Sequence, residues 1–264
     1  MSDGIGHRYG LAAFSGRAGR ALAGCGRAAL DTLVPPLSPL SPSPADGPGR
    51  LEAALWAKLQ FLGPPWCAIC GFPFPYEAGE GALCGLCAAR APRYDRARSA
   101  LAYDDSSRPL ILSFKHGGRR DALTHFAAWM ARAAADTQAD VIAPVPLHYL
   151  RLVRRRYNQA AILGRALSPL LGVPFDAGLL ARRRRTETQA GKSARGRRRN
   201  VAGAFAAPER ARERLSGRCV LLVDDVMTTG ATLEACARTL KRAGAARVEA
   251  VTLARVVRAG DAHR

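Results

Sequence analysis

Lysine is scarce: of 40 basic residues only Lys58, Lys115, Lys192 and Lys241 are not arginine. Aromatic residues make up 6% of the 264-residue chain, and the 21 acidic residues leave a formal net charge of +19. No segment reaches the roughly 18 to 20 uncharged apolar residues of a membrane-spanning helix, which excludes a helical span. Residues 29–45 lack Lys and Arg but hold Asp31 and five prolines, which no spanning helix accommodates. His7, Arg8, Arg17 and Arg20 are spread among glycines and alanines, without the compact apolar stretch of a secretory signal, so the expected location is cytoplasmic. No Gly-Lys-Thr P-loop is present, so a nucleotide triphosphatase is not supported.

What is abundant is arginine in one region. Between His148 and Asn200 there are 14 Lys or Arg against Asp176 and Glu187 alone, a local balance of +12. Such a field attracts nucleic acid, phosphorylated metabolites or an anionic membrane surface. An arginine-rich genome would produce much of the same excess. Only Tyr149 and Tyr157 interleave with these arginines, so a stacking platform for bases is thin.

The chain divides by composition. Residues 1–50 are rich in Gly, Ala and Arg, then in Pro and Ser (VPPLSPLSPSPADGPG), and read as a disordered leader. LEAALWAKLQFL (51–62) has helical spacing and opens a unit of helix plus cysteine module over 51–95. From there to residue 258, apolar runs alternate with helical segments. Strands are expected at 99–103, 139–145, 218–225 and 247–254, and helices at 119–135, 157–171 and 230–243. Alternating strands and helices indicate an α/β fold with a parallel sheet, and residues 259–264 are left as a tail.

Four of the seven cysteines form CAIC (67–70) and CGLC (84–87), separated by 13 residues. Each Cys-x-x-Cys turn can aim two thiolates at one ion, and two such knuckles satisfy tetrahedral Zn²⁺. Cys67, Cys70, Cys84 and Cys87 are therefore the expected ligands of a structural zinc ribbon. A closed four-sulfur site stabilises a module too small to fold alone and leaves no open position for catalysis. Cys25, Cys219 and Cys236 share no ligand spacing; the last two read as core residues.

VLLV (220–223) lacks apolar and polar alternation, so both of its faces are buried as in a central parallel strand. Asp224 and Asp225 fall at its carboxyl end, where open α/β sheets place ligands. Thr228, Thr229, Gly230, Ala231 and Thr232 then lead into a helix, and amide groups of such a turn cradle a phosphate. Carboxylates repel phosphate but accept hydrogen bonds from vicinal hydroxyls. Adjacent to the cradle, they point to a sugar phosphate, and ribose 5-phosphate fits both halves.

The whole string VLLVDDVMTTGATL (220–233) closely resembles the phosphoribosyl-pyrophosphate signature of type I phosphoribosyltransferases. IAPVPLHYLRLVRRRYNQA (142–160), RRRRTETQAGKSARGRRRNVAGAF (182–205) and LILSFKHGG (110–118) resemble segments of the ComF competence-protein family, as does the paired Cys-x-x-Cys module in front. The resemblance covers about residues 51–257 and implies a type I phosphoribosyltransferase-like parallel sheet flanked by helices behind a small Cys₄ zinc ribbon. Arg156 stands where that family has glycine, Tyr157 replaces phenylalanine, and Lys192 replaces leucine.

The resemblance further implies Mg²⁺ bound with phosphoribosyl pyrophosphate. Asp224 and Asp225 would act on the ribose as the catalytic pair, and Thr228 to Thr232 would hold the 5-phosphate. Lys115, Arg156, Asn158 and Gln159 would meet pyrophosphate, with an ordinary surface role as the alternative for Lys115. Arg182, Arg183, Arg184, Arg185, Arg197, Arg198 and Arg199 lie in a segment that either closes over pyrophosphate or binds single-stranded DNA; a solvated basic loop is the plain alternative. The family is associated with natural transformation, which implies DNA uptake beside a helicase or membrane-channel partner at the inner face of the membrane. Three readings stay open: a DNA-uptake protein that binds the sugar pyrophosphate, a non-catalytic DNA-binding or docking module, and a nucleobase salvage transferase.

Overall fold

The structure is a computed structural model that describes residues 53–116, 122–147, 157–183, 201 and 203–257. The expected leader, the tail, Arg156, Arg184, Arg185 and Arg197 to Arg199 lie outside the described residues.

Four parallel strands form the sheet: β1 Arg96–Ala102, β2 Val141–Pro144, β5 Cys219–Met227 and β6 Arg247–Arg255, in the order β1-β6-β5-β2. Every neighbouring pair is parallel. All four strands expected from the apolar runs are present, and β5 lies between β6 and β2 with Val220, Leu221, Leu222 and Val223 all buried. Alternate side chains of β5 serve two cores. Val220 and Leu222 join Leu233, Cys236 and Leu240 of α7 (Ala231–Arg242), while Leu221 and Val223 join helices on the other face. Those helices are α4 (Leu123–Ala133), which supplies Phe126 and Met130, and α5 (Gln159–Leu171), which supplies Leu163 and Leu167.

The chain leaves β2 towards α5 on one face and leaves the adjacent β5 towards α7 on the other. This is the topological switch point at which open α/β sheets bind ligands.

The predicted helix over 51–62 is shorter than expected. Helix α1 covers Ala53–Trp56, and the chain then turns so that Phe61 bridges Leu101 in antiparallel sense. The Leu62 N–H donates to the Ala100 carbonyl and the Ala102 N–H to the Gln60 carbonyl, each at 2.9 Å. The free edge of β1 offers unpaired backbone groups, and this segment takes them instead of its own helical bonds. Trp56, Phe61 and Trp129 then cluster at 5.1–5.5 Å between ring centroids.

Helix α3 (Ser107–His116) has no counterpart among the expected helices. It starts at a reciprocal cap: Asp104 Oδ1 accepts from the Ser106 and Ser107 N–H groups, and Ser107 Oγ accepts from the Asp104 N–H. The short α2 (Gly85–Ala89) belongs to the cysteine module, and α6 (Arg212–Leu215) precedes β5. A two-stranded antiparallel ribbon, β3 (Ala181–Arg182) with β4 (Phe205–Ala206), flanks the arginine-rich stretch in sequence.

Candidate functional site

The pleat of β5 separates its two terminal carboxylates. Asp225 turns towards α3, where its Oδ2 meets Lys115 Nζ at 3.0 Å; both side chains are 17% exposed. Asp224 turns towards the α7 side and is partly buried. Burial and the adjacent Asp225 charge push the Asp224 carboxyl up to about 7, against the pull of the Asp225 N–H, Lys115 and Arg182. The pair thus has two electrostatic states: Asp225 is ion-paired, while Asp224 titrates near neutrality.

The loop after β5 is shaped as an anion cradle. Gly230 caps α7 with φ +70 and, having no side chain, gives the helix no side-chain cap. The φ favours glycine here, and a Cβ would sit a tight 3.0 Å from both Met227 Cε and Tyr94 Oη, which would have to give way. Thr229 Oγ1 is buried without a hydrogen-bond partner. An uncapped helix N-terminus beside a buried, unanswered hydroxyl is a place for an anion.

The structure brings Lys115, Asn158, Gln159, Asp224, Asp225 and the Thr228–Thr232 loop to the carboxyl end of the sheet. The Asn158 and Gln159 side chains, however, are committed to backbone groups. Asn158 Oδ1 accepts from the Ala160 N–H at 3.1 Å, capping α5, and its Nδ2 donates to the Val145 carbonyl at 3.1 Å, just beyond β2. Gln159, 2% exposed, donates from Nε2 to the Lys115 carbonyl at 3.1 Å, and Tyr157 Oη donates to the Phe114 carbonyl at 2.9 Å. The carbonyls in the last turn of a helix lack intrahelical partners, so Tyr157 and Gln159 clasp the end of α3 from which Lys115 reaches Asp225.

Arg182 stacks its guanidinium over the Phe205 ring at 5.2 Å, and its charge acts on Asp224. Arg183 is exposed. Sequence reading missed Tyr94, which is 5% exposed and packs at the loop glycine. It also missed the clasp, because neither residue type nor spacing reports which backbone carbonyl an amide will find. A third contact, Arg90 with Glu234 at 2.7 Å, ties the cysteine module to α7.

Cys67, Cys70, Cys84 and Cys87 are buried, and their sulfur atoms lie within 4.8 Å of one another. Metal–sulfur bonds of about 2.3 Å set tetrahedron edges near 3.8 Å, and Cys70 Sγ lies 3.7 Å from Cys84 Sγ. The four thiols can therefore hold a metal ion such as zinc. Gly71 has φ +67, and a Cβ there would lie 2.6 Å from the Ala97 carbonyl oxygen, so the knuckle can press against β1 only with glycine. Cys219 and Cys236 lie in the core, where burial pushes both thiols up, Cys219 to about 11. Among the described residues no helix is long and apolar enough to cross a membrane.

Comparison with known proteins agrees with this geometry. Residues 115–263 match the family model described as Phosphoribosyl transferase domain. Competence protein F of Haemophilus influenzae is 33% identical over 198 residues, covering 72% of this chain and 85% of that protein. DNA utilization protein YhgH of Escherichia coli strain K12 is 33% identical over 198 residues, covering 72% and 84% respectively. Competence protein ComFC of Bacillus subtilis strain 168 is 26% identical over 214 residues, covering 75% and 81%.

Proposed function

The chain belongs to the ComF family of competence proteins and carries a phosphoribosyl transferase domain, and from that premise we propose that it binds phosphoribosyl pyrophosphate with Mg²⁺ and acts in DNA uptake. The observation that carries the first half is the juxtaposition of Asp224 and Asp225 with the uncapped start of α7 and the buried Thr229 hydroxyl. Carboxylates answer the ribose hydroxyls, and the loop answers the 5-phosphate.

In this reading the 5-phosphate takes the Thr229 hydroxyl and the first N–H groups of α7. Asp224 and Asp225 accept from the ribose hydroxyls and favour positive charge on the ring as pyrophosphate departs from C1. Lys115, held by the Tyr157 and Gln159 clasp, exchanges its bond to Asp225 for the pyrophosphate. Partly exposed carboxylates suit Mg²⁺, which binds through one or two such groups and keeps much of its shell in water and phosphate oxygens; when bound it neutralises pyrophosphate charge. Arg182, beside Asp224, is the inner end of the basic segment.

DNA uptake is supported by the names of the relatives and by the +12 balance between His148 and Asn200. The arginine-rich segment would bind single-stranded DNA by neutralising phosphates and releasing counterions, in the cytoplasm beside a membrane import partner. Calorimetric titration of phosphoribosyl pyrophosphate with and without Mg²⁺ tests the ligand. Pyrophosphate release across a panel of bases then separates a transferase from a binding protein. For DNA, neutralising Arg182 to Arg185 and Arg197 to Arg199 should weaken single-strand affinity and flatten its salt dependence; unchanged affinity removes the segment from the account.

A further inference from the structure

Two arginines are buried without a carboxylate in direct contact among the described residues. Arg98 on β1 is 7% exposed and Arg255, the last residue of β6, is 5% exposed. Among the described residues neither has a carboxylate within salt-bridge range. The neighbouring Arg96, by contrast, pairs with both Asp136 and Glu249. Both buried guanidiniums turn to the cysteine module instead. Arg255 Nη1 donates to the Cys70 carbonyl at 2.6 Å, lies 3.8 Å from Cys70 Sγ, and its guanidinium sits over the Phe72 ring at 5.2 Å. Arg98 Nη1 donates to the Ala68 carbonyl at 3.1 Å and to the Ala97 carbonyl at 2.9 Å, and its guanidinium covers the Trp66 ring at 4.7 Å.

These bonds leave neither charge directly paired with a carboxylate among the described residues. The Nε atom of each arginine is buried without a hydrogen-bond partner. Burial pulls the Arg98 guanidinium below its ordinary value and the like charge of Arg96 adds to this, whereas the more distant Asp136 and then Cys67 and Cys70 push it back up. A buried cation without a counter-charge is strongly destabilising, and carbonyl or ring contacts offset only part of that. Metal ligation supplies what is missing. Thiol ligands bind metal as thiolates, and four of them around one divalent ion leave a net charge of two minus, which two guanidiniums match.

We propose that Arg98 and Arg255 are the counter-ions of a dianionic tetrathiolate metal centre, so that the metal fastens the cysteine module to β1 and β6 as well as ordering the module itself. The two arginines come from the strands flanking each other in the sheet, with Ala102 in register with Arg255 and Arg98 with Val251. Arg255 is also in register with Met227, the last residue of β5. Removal of the metal therefore leaves two unanswered cations in the sheet, and its effect reaches beyond the knuckles.

The test is Zn²⁺ affinity of the full chain, measured by competition with a chromophoric chelator. Arg98→Met and Arg255→Met should each weaken Zn²⁺ binding about 10- to 100-fold, the range for residues that support metal ligands without touching the ion. Arg255→Lys, which keeps the charge, should lose much less. Cys70→His makes the cluster less negative, so adding Arg255→Met to it should cost less affinity than Arg255→Met costs the four-cysteine protein. Folded Arg→Met variants with wild-type Zn²⁺ affinity overturn the proposal. If those variants do not fold, amide exchange of the chelated wild-type protein decides: loss of protection extending into β1 and β6 is expected, and loss confined to residues 66–90 overturns it.

Discussion

Replacing Gln159 by Leu tests how the site is built. The substitution keeps a similar apolar volume but deletes the Nε2 donor that lies 3.1 Å from the Lys115 carbonyl. Gln159 is 2% exposed, so the substitution leaves the Lys115 carbonyl in the last turn of α3 facing an apolar side chain in place of its donor. Such a group costs about 1–3 kcal/mol, which lowers the melting temperature by roughly 2–4 °C per kcal/mol. The loss should appear in urea denaturation of the ligand-free protein. Tyr157→Phe should act in the same direction, since its hydroxyl donates to the adjacent Phe114 carbonyl. Sugar-pyrophosphate affinity should fall in Gln159→Leu, and in a Lys115→Met background the same change should cause little further loss, because Gln159 acts through Lys115. A Gln159→Leu protein of unchanged ligand-free stability with sharply reduced affinity would refute the clasp and make Gln159 a direct ligand contact.

Gly230→Ala should destabilise the free protein by about 1–2 kcal/mol from the left-handed backbone alone, with a further loss from Met227 Cε and Tyr94 Oη at 3.0 Å, and should abolish ribose 5-phosphate binding; calorimetry reads both. The raised Asp224 value has a definite sign. Between the ordinary carboxyl value near 4 and the folded value of about 7 the folded protein holds a proton the unfolded chain has lost, so stability falls as pH rises through this window and levels off above it. Asp224→Asn should remove that slope in pH-dependent melts. If ligand and Mg²⁺ require the carboxylate, their affinity should rise about tenfold per pH unit below 7 and flatten above it, with proton release visible in buffers of different ionisation enthalpy. Lys115→Met removes the cation 3.0 Å from Asp225. Lys115 also acts on Asp224, which gains its charge only as pH rises past about 7, so the destabilisation should be larger at pH 8 than at pH 5, and the variant should weaken pyrophosphate binding more than ribose 5-phosphate binding.

The sheet was legible because buried parallel strands leave a plain trace: VIAP and VLLV are apolar without alternation, and 159–171 and 231–242 hold helical spacing behind them. The paired Cys-x-x-Cys turns and the Asp-Asp to Thr-Thr-Gly string were equally plain, since spacing along the chain alone brings those groups together. Phe61 was misread because its helical periodicity competes with an open strand edge, and that edge is visible only once β1 has neighbours. Helix α3 escaped because its signal is the reciprocal Asp104–Ser107 cap rather than a long apolar stripe. Gln159, Tyr157, Tyr94 and the two buried arginines are illegible for a common reason. Their partners are backbone groups, ring faces and sulfur atoms far away in sequence, so each role exists only after the chain has folded.

The most direct measurement is a titration of phosphoribosyl pyrophosphate, with Mg²⁺, into wild-type protein and into the Asp224→Ala/Asp225→Ala variant, alongside ribose 5-phosphate as the fragment that engages the loop. The account predicts Mg²⁺-dependent binding by the wild type, marked loss in the double variant, and fragment binding that needs Gly230. No binding by well-folded wild-type protein, or binding indifferent to both carboxylates, would contradict it.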